Sequence, residues 1–218
     1  MNDRARKTMP GRLSRADWIA AGMTMLAESG IQSVRVEALA RRLGVTKGSF
    51  YWHFRDLSAL AAAMLDAWER ESTSAVVARM EAGGGDAGAR LLRLLRIVVE
   101  RDGRIDQAIR AWAAAEETTA VRLEAVDRRR LGLLHDLFAQ MGFDDPSARA
   151  RARLVYTSMI GDHAVRVKLD IEERLKLAEM NHAMLTTRPE RQPSPKGWTG
   201  AGGRHARSVG PPGPDKAE

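Results

Sequence analysis

The run from Gly44 to Phe54, GVTKGSFYWHF, concentrates side chains of the kinds that meet nucleic acid. Lys47 can reach a guanine edge or a phosphate. Ser49 can hydrogen-bond a base or a phosphate, and Gly48, with no side chain, lets the backbone approach closely. Tyr51 offers a hydroxyl to a phosphate and a ring to a thymine methyl. His53 can donate to a phosphate, and its charge would make such binding sensitive to pH. Thr46 and Trp52 complete the candidate contact set, and Arg35 and Arg55 flank it as cations able to grip a backbone. Most contacts of this type position a protein on DNA, and a few read sequence.

Other chemistry finds no footing. None of the five histidines forms HExxH or another metal-binding spacing. There is no GK[ST] loop, Gly-rich dinucleotide motif or nucleophile elbow. An enzyme is therefore not expected, nor a cofactor or metal. The chain contains no cysteine, which excludes disulfides and thiolate sites and suits a reducing cytoplasm. No run of eighteen or more apolar residues appears, so no membrane partner is expected.

To work together, the candidate contacts must lie on one helix flank. Phe50 and Phe54, four apart, point to one side and belong in a core, which turns Lys47, Gly48, Ser49, Tyr51 and Trp52 outward or sideways. YWHF can also be read as ordinary core aromatics. Yet these four groups cannot all face one core from one helix, and large exposed rings call for something to bind. Before this helix, VEALARRL places Val36, Leu39, Ala40 and Leu43 on one face, with Arg41 and Arg42 on a solvated one. Gly44 stops it in a left-handed conformation, and Thr46 caps the helix that carries the contact set. Two short helices and a tight turn, about residues 35–54, make a helix-turn-helix. A preceding helix begins at a Ser14–Asp17 capping box, with Leu13 and Trp18 as its staple, and ends at Gly30.

The remaining text is helical too. A fourth helix runs from Asp56 to about Glu81, and Gly83 to Gly85 break it. Further helices carry Leu91–Val99, Ile105–Trp112 and Val121–Met141. Asp145 with Pro146 opens one helix, and Asp170 with Glu173 opens the last. No segment alternates with period two between hairpin turns, so an all-α chain of about nine helices is expected. Twelve of the thirty-one residues from 188 to 218 are Pro or Gly, which predicts a disordered tail. Charge follows the same division. Residues 1–57 hold ten Lys/Arg against five Asp/Glu, residues 58–187 nineteen against twenty, and residues 188–218 six against three. A basic front end fits counterion release from DNA, although a solvated face would look the same.

Residues 14–68 resemble the DNA-binding domain of the tetracycline-repressor (TetR) family of one-component regulators. The likeness rests on an amphipathic first helix ending at Gly30-Ile31, then VEALARRLGVTKGSFYWHF, then Asp56 and an apolar fourth helix. Two departures stand out. Leu57 occupies a position where many members hold a phosphate-binding lysine, and Arg35 one where threonine is common. Residues 1–12 read as a mobile basic arm; the resemblance implies an N-terminal three-helix DNA-binding domain at 13–57 and a C-terminal helical ligand-binding and dimerisation domain at 58–187. It implies a homodimer joined through the last two long helices, about 146–167 and 171–186. It also implies a double-stranded DNA operator, most simply a palindrome under repression, and a small-molecule effector held inside the C-terminal half. Trp112, Tyr156, Met159 and His163 are candidate pocket residues, with core filling the alternative for Trp112 and Met159, and a capped or partly exposed polar group for the other two. A ligand-responsive activator and a sequence-indifferent DNA-organising protein are the rival readings.

Overall fold

A computed structural model describes residues 13–187 apart from 166 and 168; the expected basic arm at 1–12 and tail at 188–218 lie outside the described residues. Within them the chain is all helix. α1 spans Arg15–Ser29, α2 Val36–Leu43, α3 Lys47–Tyr51 and α4 Leu57–Glu69. α5 is Ala75–Ala82, α6 Ala87–Val99, α7 Arg104–Ala113 and α8 Glu117–Gln140, followed by α9 at Asp145–Ala164 and α10 at Ile171–Thr186. A π-helical turn, Arg70–Ser74, joins α4 to α5 without a break. Counted as one rod, α4 and α5 bring the described helices to nine, as the caps and breakers of the sequence indicate. No strand occurs among the described residues.

Local chemistry sets most of the helix ends. Ser14 and Asp17 form the reciprocal capping box that starts α1. Asp56, Asp86 and Asp170 each accept a backbone N–H three residues on, at 2.8 Å, to open α4, α6 and α10. Two expected caps differ. α9 is capped by Asp144, which accepts the Ser147 N–H, and not by Asp145, which is the first helical residue. Thr46 sits at the start of α3, but its hydroxyl makes no capping hydrogen bond.

Two apolar clusters organise the packing. One gathers Trp18, Leu26, Leu39, Phe50, Phe54, Leu60, Met64 and Trp68, and continues into Ile109, Trp112 and Val126 of α7 and α8. The other joins α5, α6, α8, α9 and α10 around Met80, Leu91, Leu137 and Phe138. α7 is thus packed on α1 on one side and on α8 on the other. Trp112, expected as a pocket residue, is only 6% exposed within the first cluster, so it fills the junction under α1. No described helix is long and apolar enough to cross a membrane.

Candidate nucleic-acid interface

The turn between α2 and α3 is held by backbone bonds. Gly44 adopts φ +70°, ψ +29°, the left-handed conformation that a β-carbon resists. Its N–H returns to the Arg41 carbonyl, and the Val45 N–H donates to the Ala40 carbonyl at 2.9 Å. This brings α3 across the end of α2. Phe50 then inserts fully into the core, edge-on to Trp18 at 5.4 Å and stacked on Phe54 at 5.6 Å. Arg15 of α1 lies over the Phe54 ring, 4.7 Å from its centroid. With two Phe rings fixed inward, helix geometry leaves the rest of the segment little choice of direction.

The outward flank is the predicted one. Tyr51 is 60% exposed and Trp52 is 83% exposed, while Thr46, Lys47 and Gly48 are exposed, and Ser49 and His53 are partly covered. His53 leans toward Trp18, with ring centroids 6.4 Å apart. Arg35 stands exposed at the start of α2 and donates through Nε to the Gln32 carbonyl; as expected from its type, it supplies no side-chain cap. Arg55 is exposed beside α4 and bonds Asp56 at 2.8 Å. The structure therefore brings all nine predicted contact residues to one region of the head, none of them in the core.

Two partners escaped the sequence reading. Lys47 Nζ lies 2.6 Å from Glu37 of α2, and the Lys47 hydrogen bond holds the Glu37 carboxyl below its usual range. Arg42 makes a two-pronged bond to Glu28, at 2.7 and 3.0 Å, that ties α2 to α1. Arg42 is accordingly a bracing residue. Neither acid follows any sequence spacing with its partner, so only the folded arrangement reveals them.

Deeper in the chain a cavity of about 260 Å³ opens between the π turn, α5, α6, α7, α8 and α9. Of the four candidate pocket residues, Tyr156, Met159 and His163 line it and Trp112 does not. The π turn supplies Ser72 and Thr73, and such turns recur at functional sites because they disrupt the regular bonding of the helix. Arg130 occupies the disrupted stretch. It donates to the Ser72 carbonyl and hydroxyl and to Thr73 Oγ1, and reaches Asp106 at 3.2 Å. Asp106 also accepts the indole N–H of Trp68, so one carboxylate touches both the cavity wall and the core beneath the helix-turn-helix. A second network joins Arg110, Asp127 and Tyr156, at 2.6 to 3.0 Å. Burial pushes Asp127 up, but the bonds from Arg110 and Tyr156 outweigh it and hold the carboxyl below its usual range. Desolvation raises the Tyr156 phenol. Among the described residues, no group of three or more His, Asp or Glu could hold a metal.

α9 and α10 present a second feature. Leu154, Leu177 and Met184 are exposed large apolar side chains lining a groove between α6, α9 and α10, and Met180 of α10 is exposed as well. A β-carbon built on Gly161, within this groove, meets nothing within 4 Å.

Comparison with known proteins bears on the front of the chain. Residues 19–64, from α1 into α4, match the family described as bacterial regulatory proteins, tetR family. The tetracycline repressor protein class G of Vibrio anguillarum is 40% identical over 60 residues, covering 28% of this chain and 29% of that one. The tetracycline repressor protein class A from transposon 1721 of Escherichia coli is 31% identical over 108 residues, 48% of this chain and 50% of that one. The chain thus spans half or less of the length of these two relatives. Among solved structures, a TetR-family transcriptional regulator from Streptomyces coelicolor superposes with TM-score 0.68 at 20% identity, covering 79% of this chain and 87% of that one. A transcriptional regulator from Rhodococcus sp. Rha1 gives 0.66 at 21% identity, covering 81% and 100%. At these identities the structural likeness concerns the fold.

Proposed function

We infer, taking as premise that this chain belongs to the TetR family of transcriptional regulators, that it is a cytoplasmic repressor binding a palindromic operator as a homodimer and released by a small molecule. One observation carries the reading: Trp52 and Tyr51 stand in solvent beside Lys47 and Ser49, while Phe50 and Phe54 anchor the same short segment in the core. The Tyr51 ring touches Phe50 with one edge, at 5.3 Å, and leaves the rest of itself in solvent beside the more exposed Trp52; the neighbours of both are the hydrogen-bonding groups that phosphate and base edges require. α3 enters the major groove, while Arg35 and Arg55 reach phosphates on either side.

Dimerisation follows from the apolar faces of α9 and α10. Leu154, Leu177, Met180 and Met184 stay largely exposed in a single chain, and covering them with a second copy removes that surface from water. The open space over Gly161 lets the partner's helix approach closely. In the pair, two α3 segments face the same side, with half-sites about 34 Å apart or a multiple of that distance.

Control requires only that an effector bind the operator-competent and released states with different affinity. The cavity lies where this can happen, because α7 forms part of its wall and is packed on α1 of the head. The test is selection of fragments from host genomic DNA by the purified protein. The reading expects recovery of a palindromic site with half-sites near one helical turn apart; recovery of fragments without sequence preference contradicts it.

A further inference from the structure

Four arginines line the cavity, and three have an acid of their own. Arg110 is paired with Asp127, Arg130 with Asp106, and Arg129 with Glu69. Arg101 differs. Among the described residues it meets no carboxylate, and its Nη1 donates instead to the Glu71 carbonyl in the π turn, at 2.9 Å. The cavity's own acid near it, Asp102, is taken by Arg104 at 2.6 Å. The wall therefore keeps one surplus cation. A guanidinium in a partly enclosed, mostly apolar space attracts an anion strongly, and its planar fork fits a carboxylate in two-pronged fashion.

The surroundings of Arg101 extend this. Two residues on, Gly103 begins α7 in contact with His163 of α9. A β-carbon at Gly103 would fall 2.2 Å from the imidazole ring, so only glycine lets the ring lie there. Gln107 follows one helical turn later, its N–H bonded to the Gly103 carbonyl. Arg101, Gln107 and His163 all line the cavity, two of them within four positions of Gly103 in the chain and the third lying over it, three side chains able to donate hydrogen bonds. Val76, Val77, Leu94, Leu133, Leu134 and Ile160 supply aliphatic wall. At about 260 Å³ the space falls just below the roughly 300–1,000 Å³ typical of pockets for drug-sized ligands.

We propose that this cavity binds a small apolar monocarboxylate, its head held by Arg101 with Gln107 and His163 around Gly103, and its tail against the aliphatic wall. This rests on the effector reading above and names the ligand class. One negative charge matches the single unpaired cation. A cationic ligand would face Arg101 with no free acid, and a neutral one would leave its charge uncompensated.

The experiment is calorimetric titration of the full chain with octanoate and benzoate, each beside its amide, and with octylamine. Binding of at least one carboxylate is expected, with its amide at least tenfold weaker and octylamine undetected. Arg101→Gln should weaken the carboxylate at least tenfold, and Arg101→Lys should retain more of it. Unfolding midpoints without ligand show whether each variant is folded; if Arg101→Gln is not, the carboxylate–amide contrast in the unaltered chain decides. Equal binding of amide and acid, binding of octylamine, unchanged affinity in a folded Arg101→Gln, or no binding by either carboxylate at millimolar concentration would overturn the assignment. Operator release is read separately by fluorescence anisotropy. A carboxylate that binds through Arg101 and leaves the operator complex intact removes the effector role and leaves the site. Release by the amide alone keeps the effector role and removes the ligand class.

Discussion

Asp127→Asn is a demanding test of the cavity's architecture. Asp127 on α8 accepts hydrogen bonds from both terminal nitrogens of the Arg110 guanidinium, from α7, and from the hydroxyl of Tyr156, from α9. Three helices around the cavity thus meet at one carboxylate. Arg110 and Asp127 are about a quarter exposed, 24% and 26% for their side chains. Exposed ion pairs contribute about 0–1 kcal/mol, whereas breaking a fully buried one costs about 3–5 kcal/mol. Partial solvation and the amide oxygen that asparagine retains place this change between those limits, at about 2 kcal/mol. In a chain of this size each kcal/mol moves the unfolding midpoint by about 2–4 °C, so a fall of about 4–8 °C is expected at pH 7. Acidity supplies the sign. The folded carboxyl titrates below its ordinary value, so its contribution is complete above the ordinary carboxylate range and is lost as pH falls through the depressed folded value. Scanning calorimetry of both proteins from pH 7 to pH 3 should show the gap between them closing toward the acid end. Other depressed carboxylates affect both chains alike and cancel in the difference. A gap under 1 °C at neutral pH, or one that stays constant in acid, refutes the argument.

Other outcomes follow from single contacts. Gly161→Leu places a β-carbon where nothing of its own chain lies within 4 Å and removes a helix-interior glycine, so the fold should hold or gain about 1 kcal/mol while dimers weaken; undiminished dimer by sedimentation would contradict the α9–α10 pairing. Phe50→Ala empties a fully buried site and should cost about 3–5 kcal/mol in urea unfolding. Asp136 and then Asp145 raise His135, so its stabilising contribution is complete below its ordinary value of 6.5 and is lost as pH rises through the higher folded value. An NMR titration should place its midpoint above 6.5, and Asp145→Asn should lower it; a midpoint at or below 6.5 would contradict the contact.

The features legible in the sequence were local. Phe50 and Phe54 announce the buried side of α3 because helix periodicity alone decides it, and the exposure of Trp52 and Tyr51 follows. Gly44 marks a backbone conformation, and the Ser14–Asp17 box is complete within four residues. The C-terminal half was less readable because its chemistry is assembled from afar. Arg110 and Tyr156 are separated by 46 positions, and Arg130 and Ser72 by 58. No periodicity connects such residues, and arginines on amphipathic helices look alike whether paired or spare. Trp112 shows the same difficulty. Its type suits a pocket or a core, and only the packing of α7 on α1 decides for the core. The π turn at Arg70–Ser74 was also hidden, since nothing in RESTS departs from ordinary helix formers as glycine or proline would. The misplaced α9 cap was an error of one residue between two neighbouring aspartates, each able to serve.

The central claim is that the polar flank of α3 lies on DNA. Its most direct test is fluorescence anisotropy of the selected operator with Lys47→Ala and Tyr51→Ala, measured across a salt series with the fold checked by circular dichroism. The account predicts a loss of about 1–3 kcal/mol for each, with a shallower salt slope where a phosphate contact is removed. Two folded variants that bind the operator as tightly as the unaltered chain would contradict it.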